Sequence, residues 1–348
     1  MQQIKSSFMM IKNRGVHFMY FIPFTDELIS EAGQLLSKRH KLDREILSVL
    51  PIECEDENYA TTAVKTIWSR PNSSGVAAME DGKLIGYLIG QKMENPLRGR
   101  HVWMNLEGHA ISCNTYVELY RDLYSEASQL WVDEGYYSHF ALIPASQPEL
   151  LHSWFRLGFG FEQTHALLSL FDREFPLPLS IPNVEIRLAS PEDRSLVEEI
   201  ANIIRIHQNK APVFAYSLRD DPEELRKGYA GLLDDHDVDF WIALKDGKIV
   251  SFQGYFPFDR SNVNLNVPDR CVELGVAGTL DQYRGQGINY ALTLHGLAHA
   301  KKKGYVSCMT DWRETNLQSS RYWPRQGFLP VSYRVSRLID SRITLVKE

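Results

Sequence analysis

An internal repeat is the feature that most constrains the fold of this 348-residue chain. The pattern W-x-R-x-G-F occurs at residues 154–159 and again at residues 323–328, which is 169 positions later. The pattern G-Y-x-S recurs with the same offset, at residues 135–138 and 304–307. Landmarks that return in one order at equal spacing are typical of a duplicated structural unit, so we predict two copies of one domain of roughly 165 residues.

The two copies are expected to meet in a proline-rich segment. Residues 172–182 contain three prolines and show no helical periodicity, which is typical of a linker. We therefore predict one domain over residues 1–172 and a second over residues 183–348. The length suits two domains, and a composition with 44% hydrophobic and 24% charged residues excludes a wholly disordered chain.

The sequence of each copy predicts an α/β domain with a mixed central sheet flanked by helices. In the second copy the hydrophobic patterns and turn residues predict the order β-α-α-β-β-β-α-β-α-β. Asp246-Gly247 predicts a hairpin turn because both residues tolerate a positive φ, and Asp81-Gly82 stands at the corresponding point of the first copy. The predicted elements around the site discussed below are the strands Cys271–Thr279 and Val306–Thr310 and the helices Ile288–Lys303 and Asn316–Arg325.

Charge and cysteine usage exclude several classes of protein. The chain has 38 Lys and Arg against 44 Asp and Glu, a net charge of −6, whereas a dedicated nucleic-acid binder needs a dense basic face. The four cysteines are scattered and form no CxxC pair, so we expect a reduced, cytoplasmic protein without disulfides. His295 and His299 lie four residues apart but lack a third ligand, so we predict no metal site.

Near the start of the chain, the longest apolar run is Phe18–Phe24. This run is far shorter than the roughly 20 residues that cross a bilayer. We therefore expect no signal peptide and no membrane anchor.

A glycine-containing loop is the segment that carries chemistry. Residues 279–289 read TLDQYRGQGIN and join the predicted strand to the predicted helix. Gly285 and Gly287 permit a tight turn, after which the free N–H groups of the first helical turn form an anion site suited to a pyrophosphate. The segment is neither a Walker P-loop nor a Rossmann fingerprint, and a plain glycine turn is the alternative interpretation.

The loop and its context resemble the GNAT superfamily of acyl-CoA-dependent N-acetyltransferases. The loop of that family reads R/Q-x-x-G-x-G/A, and here it is Arg284-x-x-Gly287-x-Asn289, in which Asn289 departs from the small final residue. The pair Gly327-Phe328 follows Asn316 by eleven residues, as the family order requires. The resemblance covers residues 184 to about 338, and it reaches the first half only through the repeat.

The resemblance implies that acetyl-CoA is the acyl donor and that no metal is involved. It implies that the pyrophosphate is held by loop N–H groups and that the pantetheine arm pairs with the end of the fourth strand like an added strand. Gly275 and Gly278 in that strand suit a bulge or a close backbone approach. The implied cofactor-binding residues are Val276, Ala277, Gly278, Arg284, Gly285, Gln286, Gly287, Ile288, Asn289 and Asn316.

Two carboxylates are candidates for the general base that deprotonates the acceptor amine. Glu273 lies inside an apolar strand, where a charge is costly unless it faces water or a partner. Asp311 follows the fifth predicted strand. We prefer Glu273; its structural alternative is a salt bridge to Arg270 or Arg284, and that of Asp311 is a helix cap.

The general acid is where the chain departs from the family. Many members have a tyrosine seven residues after the asparagine, and here that position is Trp323. Tyr322 is adjacent but points about 100° around the helix. The leaving thiolate would then be protonated by water or Tyr283, and a non-catalytic acyl-CoA binding or sensing protein is the alternative function.

The first copy lacks the loop. Under the 169-residue offset, residues 284–289 fall on residues 115–120, which contain no glycine and place Glu118 where a phosphate would bind. We predict a degenerate first copy and one working site. The expected acceptor is a small-molecule or peptide amine, with no nucleic-acid or membrane partner, and the chain is expected to be a monomer or homodimer.

Overall fold

A computed structural model describes residues 12–14, 17–176, 180–215, 221–258 and 264–346. Contacts divide the chain into two compact units. Unit 1 comprises Met1–Gln163, Asn262–Asn266 and Val331–Glu348, and unit 2 comprises Thr164–Ser261 and Val267–Pro330. The sequence-based division into residues 1–172 and 183–348 describes the repeat rather than the contacts, and it stays a prediction.

Unit 1 contains three long helices, one short helix and most of a twisted sheet. Its elements in chain order are β1 (Lys12–Arg14), β2 (His17–Pro23), α1 (Ile29–Ile46), α2 (Glu57–Trp68), β3 (Ser73–Glu80), β4 (Lys83–Asn95), β5 (Gly99–Met104), β6 (His109–Ile111), α3 (Leu119–Asp133), β7 (Ser138–Pro144) and α4 (Pro148–Phe155). The next strand, β8 (Gly160–Ser169), begins in unit 1 and ends in unit 2.

Unit 2 repeats this plan. Its further elements are β9 (Glu185–Leu188), α5 (Arg194–Ile200), α6 (Ile203–Gln208), α7 (Pro222–Gly231), β10 (Asp239–Lys245), β11 (Lys248–Pro257), β12 (Cys271–Thr279), α8 (Ile288–Lys302), β13 (Ser307–Arg313) and α9 (Ser319–Arg325). The last strand, β14 (Leu329–Leu338), begins in unit 2, and its residues from Val331 onward belong to unit 1.

The sheet of unit 1 is mixed. Strands β1 to β5 follow one another in antiparallel pairs, β5 pairs with β7 in parallel, and β7 pairs antiparallel with β14. The last pairing runs from Ser332 opposite Pro144 to Leu338 opposite Ser138. The C-terminal strand of the chain therefore completes the sheet that the N-terminal half begins.

The sheet of unit 2 has the same mixed character. The antiparallel run β9-β10-β11-β12 is followed by β13, which is parallel to β12. On its other edge β13 neighbours β8. The fold class predicted from the sequence, a mixed central sheet flanked by helices in each copy, is confirmed. In the described part of the chain, no helix combines the length and the apolar character needed to cross a bilayer.

Both predicted hairpin turns are confirmed. Asp81 and Gly82 have φ angles of 49° and 77°, and Asp246 and Gly247 have φ angles of 51° and 74°. Positive φ at both central residues is the geometry that matches the twist of the flanking strands.

Two predicted boundaries near the site are wrong. The strand predicted over Val306–Thr310 extends to Arg313, because β8 supports β13 along its other edge. The helix predicted to begin at Asn316 begins at Ser319. Asn316 instead forms a turn before the helix, in which its side-chain oxygen accepts from backbone N–H groups.

The core of unit 2 depends on close contact between α8 and the sheet. A Cβ atom added at Gly296, in the middle of α8, would overlap the ring and hydroxyl of Tyr255 on β11. Tyr255 is 1% exposed, so its ring has no open space to move into. Glycine at this position therefore sets how closely the helix approaches the sheet.

We predict that Gly296→Ala lowers the free energy of unfolding by about 1–3 kcal/mol, the usual effect of overpacking a core. Gly228→Ala, in α7, is the matched control because a Cβ there meets no atom within 4 Å. The control should be neutral or stabilising by up to about 1 kcal/mol, since alanine favours helix. Urea denaturation measures both variants, and equal effects at the two positions would contradict the close approach of α8.

Candidate functional site

The candidate site forms where two parallel strands stop pairing. Strands β12 and β13 pair only from Cys271 opposite Ser307 to Glu273 opposite Met309, although β12 continues to Thr279. The hydroxyl of Thr310 donates to the carbonyl of Leu274 at 2.9 Å, which is the last contact along this edge that the described residues show. Beyond it, the β13-facing edge of β12 offers backbone groups for an added strand.

A bulge in β12 marks the same point. On the β11 side, Leu274 lies opposite Tyr255 and Val276 lies opposite Gly254, so Gly275 is an extra residue without a partner. The bulge predicted from the glycine pattern is confirmed. Farther along the strand, a Cβ at Gly278 would lie 2.8 Å from the ring of Phe252, so side-chain packing accounts for this glycine and a close backbone approach there stays a prediction.

The loop after β12 presents a row of backbone N–H groups. Gly285 and Gly287 have φ angles of 74° and 79°, which only glycine adopts easily, and α8 begins directly after Gly287. Within the described residues, no acceptor bonds the N–H groups from Gly285 to Tyr290. Free N–H groups of this kind, at the positive end of a helix dipole, are able to bind an anion.

The side chain of Arg284 is fixed beside this loop. Its guanidinium pairs with Asp281 at 2.7 Å and donates to the carbonyl of Thr279 at 3.2 Å. The guanidinium therefore ties the end of β12 to the loop and does not pair with Glu273.

Asn289, the residue that departs from the family pattern, is bonded beneath the helix. Its side-chain oxygen accepts from Nε2 of Gln253 at 2.9 Å, and Gln253 also donates to the hydroxyl of Thr293 at 2.9 Å. Oε1 of Gln253 accepts from the hydroxyl of Tyr255 at 2.7 Å. Because Asn289 is engaged toward the sheet, its backbone N–H remains available in the first turn of α8.

Tyr322 joins the same network from α9. Its hydroxyl lies 2.9 Å from the hydroxyl of Thr293 on α8. Burial raises the pKa of Tyr322 to about 12, so the phenol is protonated at neutral pH. Trp323, which occupies the position of the family tyrosine, is 5% exposed and packs in the core against Phe328.

The two candidate carboxylates lie on one face of the sheet. Glu273 is paired with Met309, and Asp311 follows Met309 by two residues, so both side chains leave the same face. Burial raises the pKa of Glu273, and the negative charge of Asp311 raises it further. Among the described residues, no cation pairs with Glu273.

Asp311 does not follow the strand, as the sequence predicted, but lies within β13. Its carboxylate is 42% exposed and lies 3.9 Å from Nδ1 of His165 on β8. It is therefore part of the sheet surface and not a helix cap.

Asn316 lies at the other side of the site and is 8% exposed. Its side-chain oxygen accepts from the N–H groups of Gln318 and Ser319 at 3.2 and 3.3 Å. The same oxygen lies 3.3 Å from Nε2 of His207 on α6. The oxygen is thus occupied within the protein, and a role of Asn316 in cofactor binding stays a prediction.

Sequence reasoning missed Gln253, Thr293, His165 and His207. Only Gln253 left a signal, because the alternation Ser251, Gln253, Tyr255 in β11 places these three residues on one face of an otherwise apolar strand. His165 and His207 come close to Asp311 and Asn316 only in the folded chain, so no local sequence pattern identifies them.

Unit 1 has different residues at the positions of the two candidate carboxylates. The β5–β7 pairing of His101 with Ser138 matches that of Cys271 with Ser307, so Trp103 stands in place of Glu273. By the same register, Leu142 stands in place of Asp311. Unit 1 therefore has neither carboxylate.

Side chains fill the corresponding gap between strands in unit 1. Nε2 of His109 donates to the carbonyl of Leu142 at 2.8 Å, and burial lowers the pKa of His109 to about 3, which keeps the ring neutral. Arg39 of α1 donates to the carbonyls of Leu106 and His109. At the start of α3, Glu118 is paired with arginines instead of leaving an anion site open.

Comparison with known proteins agrees with this geometry. Residues 201–328 match the model of the Acetyltransferase (GNAT) family. No curated protein matches the chain in sequence.

Solved structures extend the likeness to both halves. A GCN5-related N-acetyltransferase from Sphaerobacter thermophilus is 14% identical with a TM-score of 0.54, over 91% of this chain and 95% of that one. A tandem GNAT protein from the clavulanic acid biosynthesis pathway, solved without AcCoA, is 14% identical with a TM-score of 0.50, over 92% of this chain and 98% of that one. Residues 201–328 therefore resemble a GNAT domain, and the chain as a whole shares the fold of these two structures.

Proposed function

We propose that the chain is an N-acetyltransferase that moves an acetyl group from acetyl-CoA to a primary amine of a small molecule or peptide. The observation that carries the proposal is the arrangement within one strand, loop and helix of unit 2. A half-buried carboxylate, an unpaired strand edge and a row of free N–H groups follow one another from Glu273 to Tyr290. Acetyl transfer needs each of these three.

Binding of the donor would use the strand edge and the loop. The N–H groups of Gly285, Gln286, Gly287, Ile288 and Asn289 would face the pyrophosphate, and the edge formed by Val276, Ala277 and Gly278 would face the pantetheine arm. The N–H of Arg284 already donates to the carbonyl of Asp281, so Arg284 would contribute through the shape of the loop. When bound, acetyl-CoA supplies the acetyl group as a thioester: a C–N bond to the amine forms, the C–S bond breaks, the ammonium loses a proton and the thiolate gains one. No metal takes part in the proposal.

Glu273 is the proposed general base. Its raised pKa brings its proton affinity closer to that of the amine than an exposed carboxylate would have. It accepts the proton directly or through one water. Asp311 on the same face keeps this pKa raised and holds a second negative charge near the cationic acceptor.

Tyr322 is the proposed proton donor to the leaving thiolate. Its phenol is neutral at pH 7 and is held by Thr293 at the first turns of α8, the helix whose N-terminus would bind the donor. This assignment replaces the missing tyrosine at position 323.

The acceptor and location are part of the same proposal. A net charge of −6 favours encounter with cationic amines and disfavours nucleic acid. Cys54, Cys113, Cys271 and Cys308 form no disulfide in the described part of the chain, which suits a reducing cytoplasm. We propose a monomer or homodimer without a membrane partner.

One observation favours the alternative of a non-catalytic acyl-CoA binding or sensing protein, namely that Trp323 replaces the family tyrosine. Release of free thiol from acetyl-CoA with a panel of amines separates the two functions. An enzyme releases thiol with at least one amine, whereas a sensor binds acetyl-CoA without releasing any.

We predict that acetyl-CoA raises the melting temperature of the protein through unit 2 alone. A ligand at about 100 times its Kd adds about 2.7 kcal/mol of stability. Gly287→Glu should abolish the shift, because it places a negative charge and a strained φ in the anion site. Gly247→Glu is the matched control, since it imposes the same strain on a hairpin turn far along the chain. A full shift in Gly287→Glu would contradict the site.

Glu273→Gln should lower kcat by about 10²–10⁴-fold with little change in the affinity for acetyl-CoA, because it removes only the proton acceptor. Steady-state kinetics with the best amine measures both quantities. Glu223→Gln, on the exposed face of α7, is the control and should leave kcat unchanged.

Asp311→Asn should shift the acidic limb of the pH–kcat profile to lower pH. Removing a neighbouring negative charge lowers the pKa of Glu273, so the base ionises earlier as the pH rises. If Asp311→Asn instead abolishes turnover while Glu273→Gln retains it, Asp311 is the base.

Tyr322→Phe keeps the ring and removes the proton donor. We expect kcat to fall by about 10²-fold, with unchanged KM for acetyl-CoA. Tyr290→Phe, at an exposed position on α8, is the control. An unchanged kcat would show that water protonates the thiolate.

A further inference from the structure

Unit 1 encloses a cavity of about 170 Å³ with a polar lining. It lies between α2, the segment that follows β5, and β7. The residues used below are Arg70 on α2, Asn105 and Glu107 after β5, and Leu142 on β7.

The cavity corresponds in position to the proposed transfer site of unit 2. By the β5–β7 and β12–β13 registers, Leu142 corresponds to Asp311. By the β4–β6 and β11–β12 registers, His109 corresponds to Ala277, so the four residues Asn105–Gly108 stand in place of Gly275 and Val276. His109 and Arg39 occupy the gap that in unit 2 would receive the pantetheine arm. In unit 1 these two side chains therefore bond backbone carbonyls at the strand gap, and the cavity lies beside them.

The charges that line the cavity have opposite signs. Glu107 is 9% exposed, and its Oε1 lies 3.4 Å from the N–H of Leu265. Burial raises the pKa of this carboxyl, and the positive charges of Arg39 and Arg70 oppose that rise only in part. Arg39, the other nearby cation, is already committed to backbone carbonyls and to Asp43.

A buried donor in the lining lacks an acceptor. Nδ2 of Asn105 is shielded from solvent and has no hydrogen-bond partner among the described residues. The side-chain oxygen of Asn105 is used, because it accepts from the indole N–H of Trp103 at 3.1 Å. A buried donor without an acceptor is destabilising, and a ligand oxygen could satisfy it.

We propose that this cavity binds a small zwitterion, an α-amino acid with a short side chain. The ammonium group would lie on Glu107, and the carboxylate would lie on Arg70 and Nδ2 of Asn105. The volume sets the size, since a cavity of about 150 Å³ holds benzene, a molecule of about six heavy atoms. Alanine and serine are of this size. The proposal is independent of acetyl transfer, because unit 1 lacks both carboxylates of the catalytic face.

Isothermal titration calorimetry of the full chain with glycine, alanine and serine tests the proposal, with putrescine and acetate as single-sign probes. We expect saturable binding of at least one amino acid and weaker binding of both probes. Glu107→Gln and Arg70→Gln should each raise the Kd at least tenfold. Glu57→Gln, at the exposed start of α2, is the matched control and should leave the Kd unchanged.

Three results would overturn the proposal. The first is no saturable heat with any amino acid. The second is putrescine binding that exceeds amino-acid binding and is unaffected by Arg70→Gln, which would indicate a diamine site. The third is amino-acid binding that survives Glu107→Gln and is lost in Glu273→Gln, which would place the ligand in unit 2. Melting curves of each variant confirm that it is folded. Gly287→Glu alters only the proposed acetyl-CoA site, so this variant should retain amino-acid binding whether or not the proposed function is correct.

Discussion

The early end of pairing between β12 and β13 is the constraint on which the candidate site depends. A sheet normally satisfies the backbone of both strands along their shared edge. Here the ladder stops at Glu273 and Met309, and the bulge at Gly275 redirects the rest of β12. The gap costs main-chain hydrogen bonds, and an extended ligand can supply them. The pantetheine arm of the proposed acyl donor is extended and could pair with this edge as a strand would.

The sequence predicts those parts of the site whose geometry is set by residues adjacent in the chain. Positive φ at Gly287 follows from the residue type and from its place before a helix, and Asp246-Gly247 fixes its hairpin in the same way. The Asn289–Gln253 contact joins residues 36 positions apart, and it required knowledge of which face of β11 lies beneath α8. The length of β13 depends on β8, a neighbour that no local pattern reveals.

The two copies show how one architecture is kept while its chemistry is lost. In unit 1, a tryptophan and a leucine stand where unit 2 has carboxylates, and a neutral histidine bridges the gap between strands. These replacements satisfy backbone groups from within the chain. The backbone at this point of unit 1 is thus bonded by side chains of the same chain, whereas the pairing of β12 with β13 in unit 2 ends early.

Strand β14, near the C-terminus, completes the sheet of unit 1, and this affects how unit 1 can fold during synthesis of the chain. Domains of a growing chain generally fold from the N-terminus as they leave the ribosome. Unit 1 cannot do so completely, because the strand that covers the edge of β7 is translated last. Until then β7 presents unpaired N–H and C=O groups, the kind of edge that pairs with other chains. A truncation that removes β14 would therefore damage the sheet of unit 1, although unit 1 is formed mainly by residues that precede it by more than 160 positions.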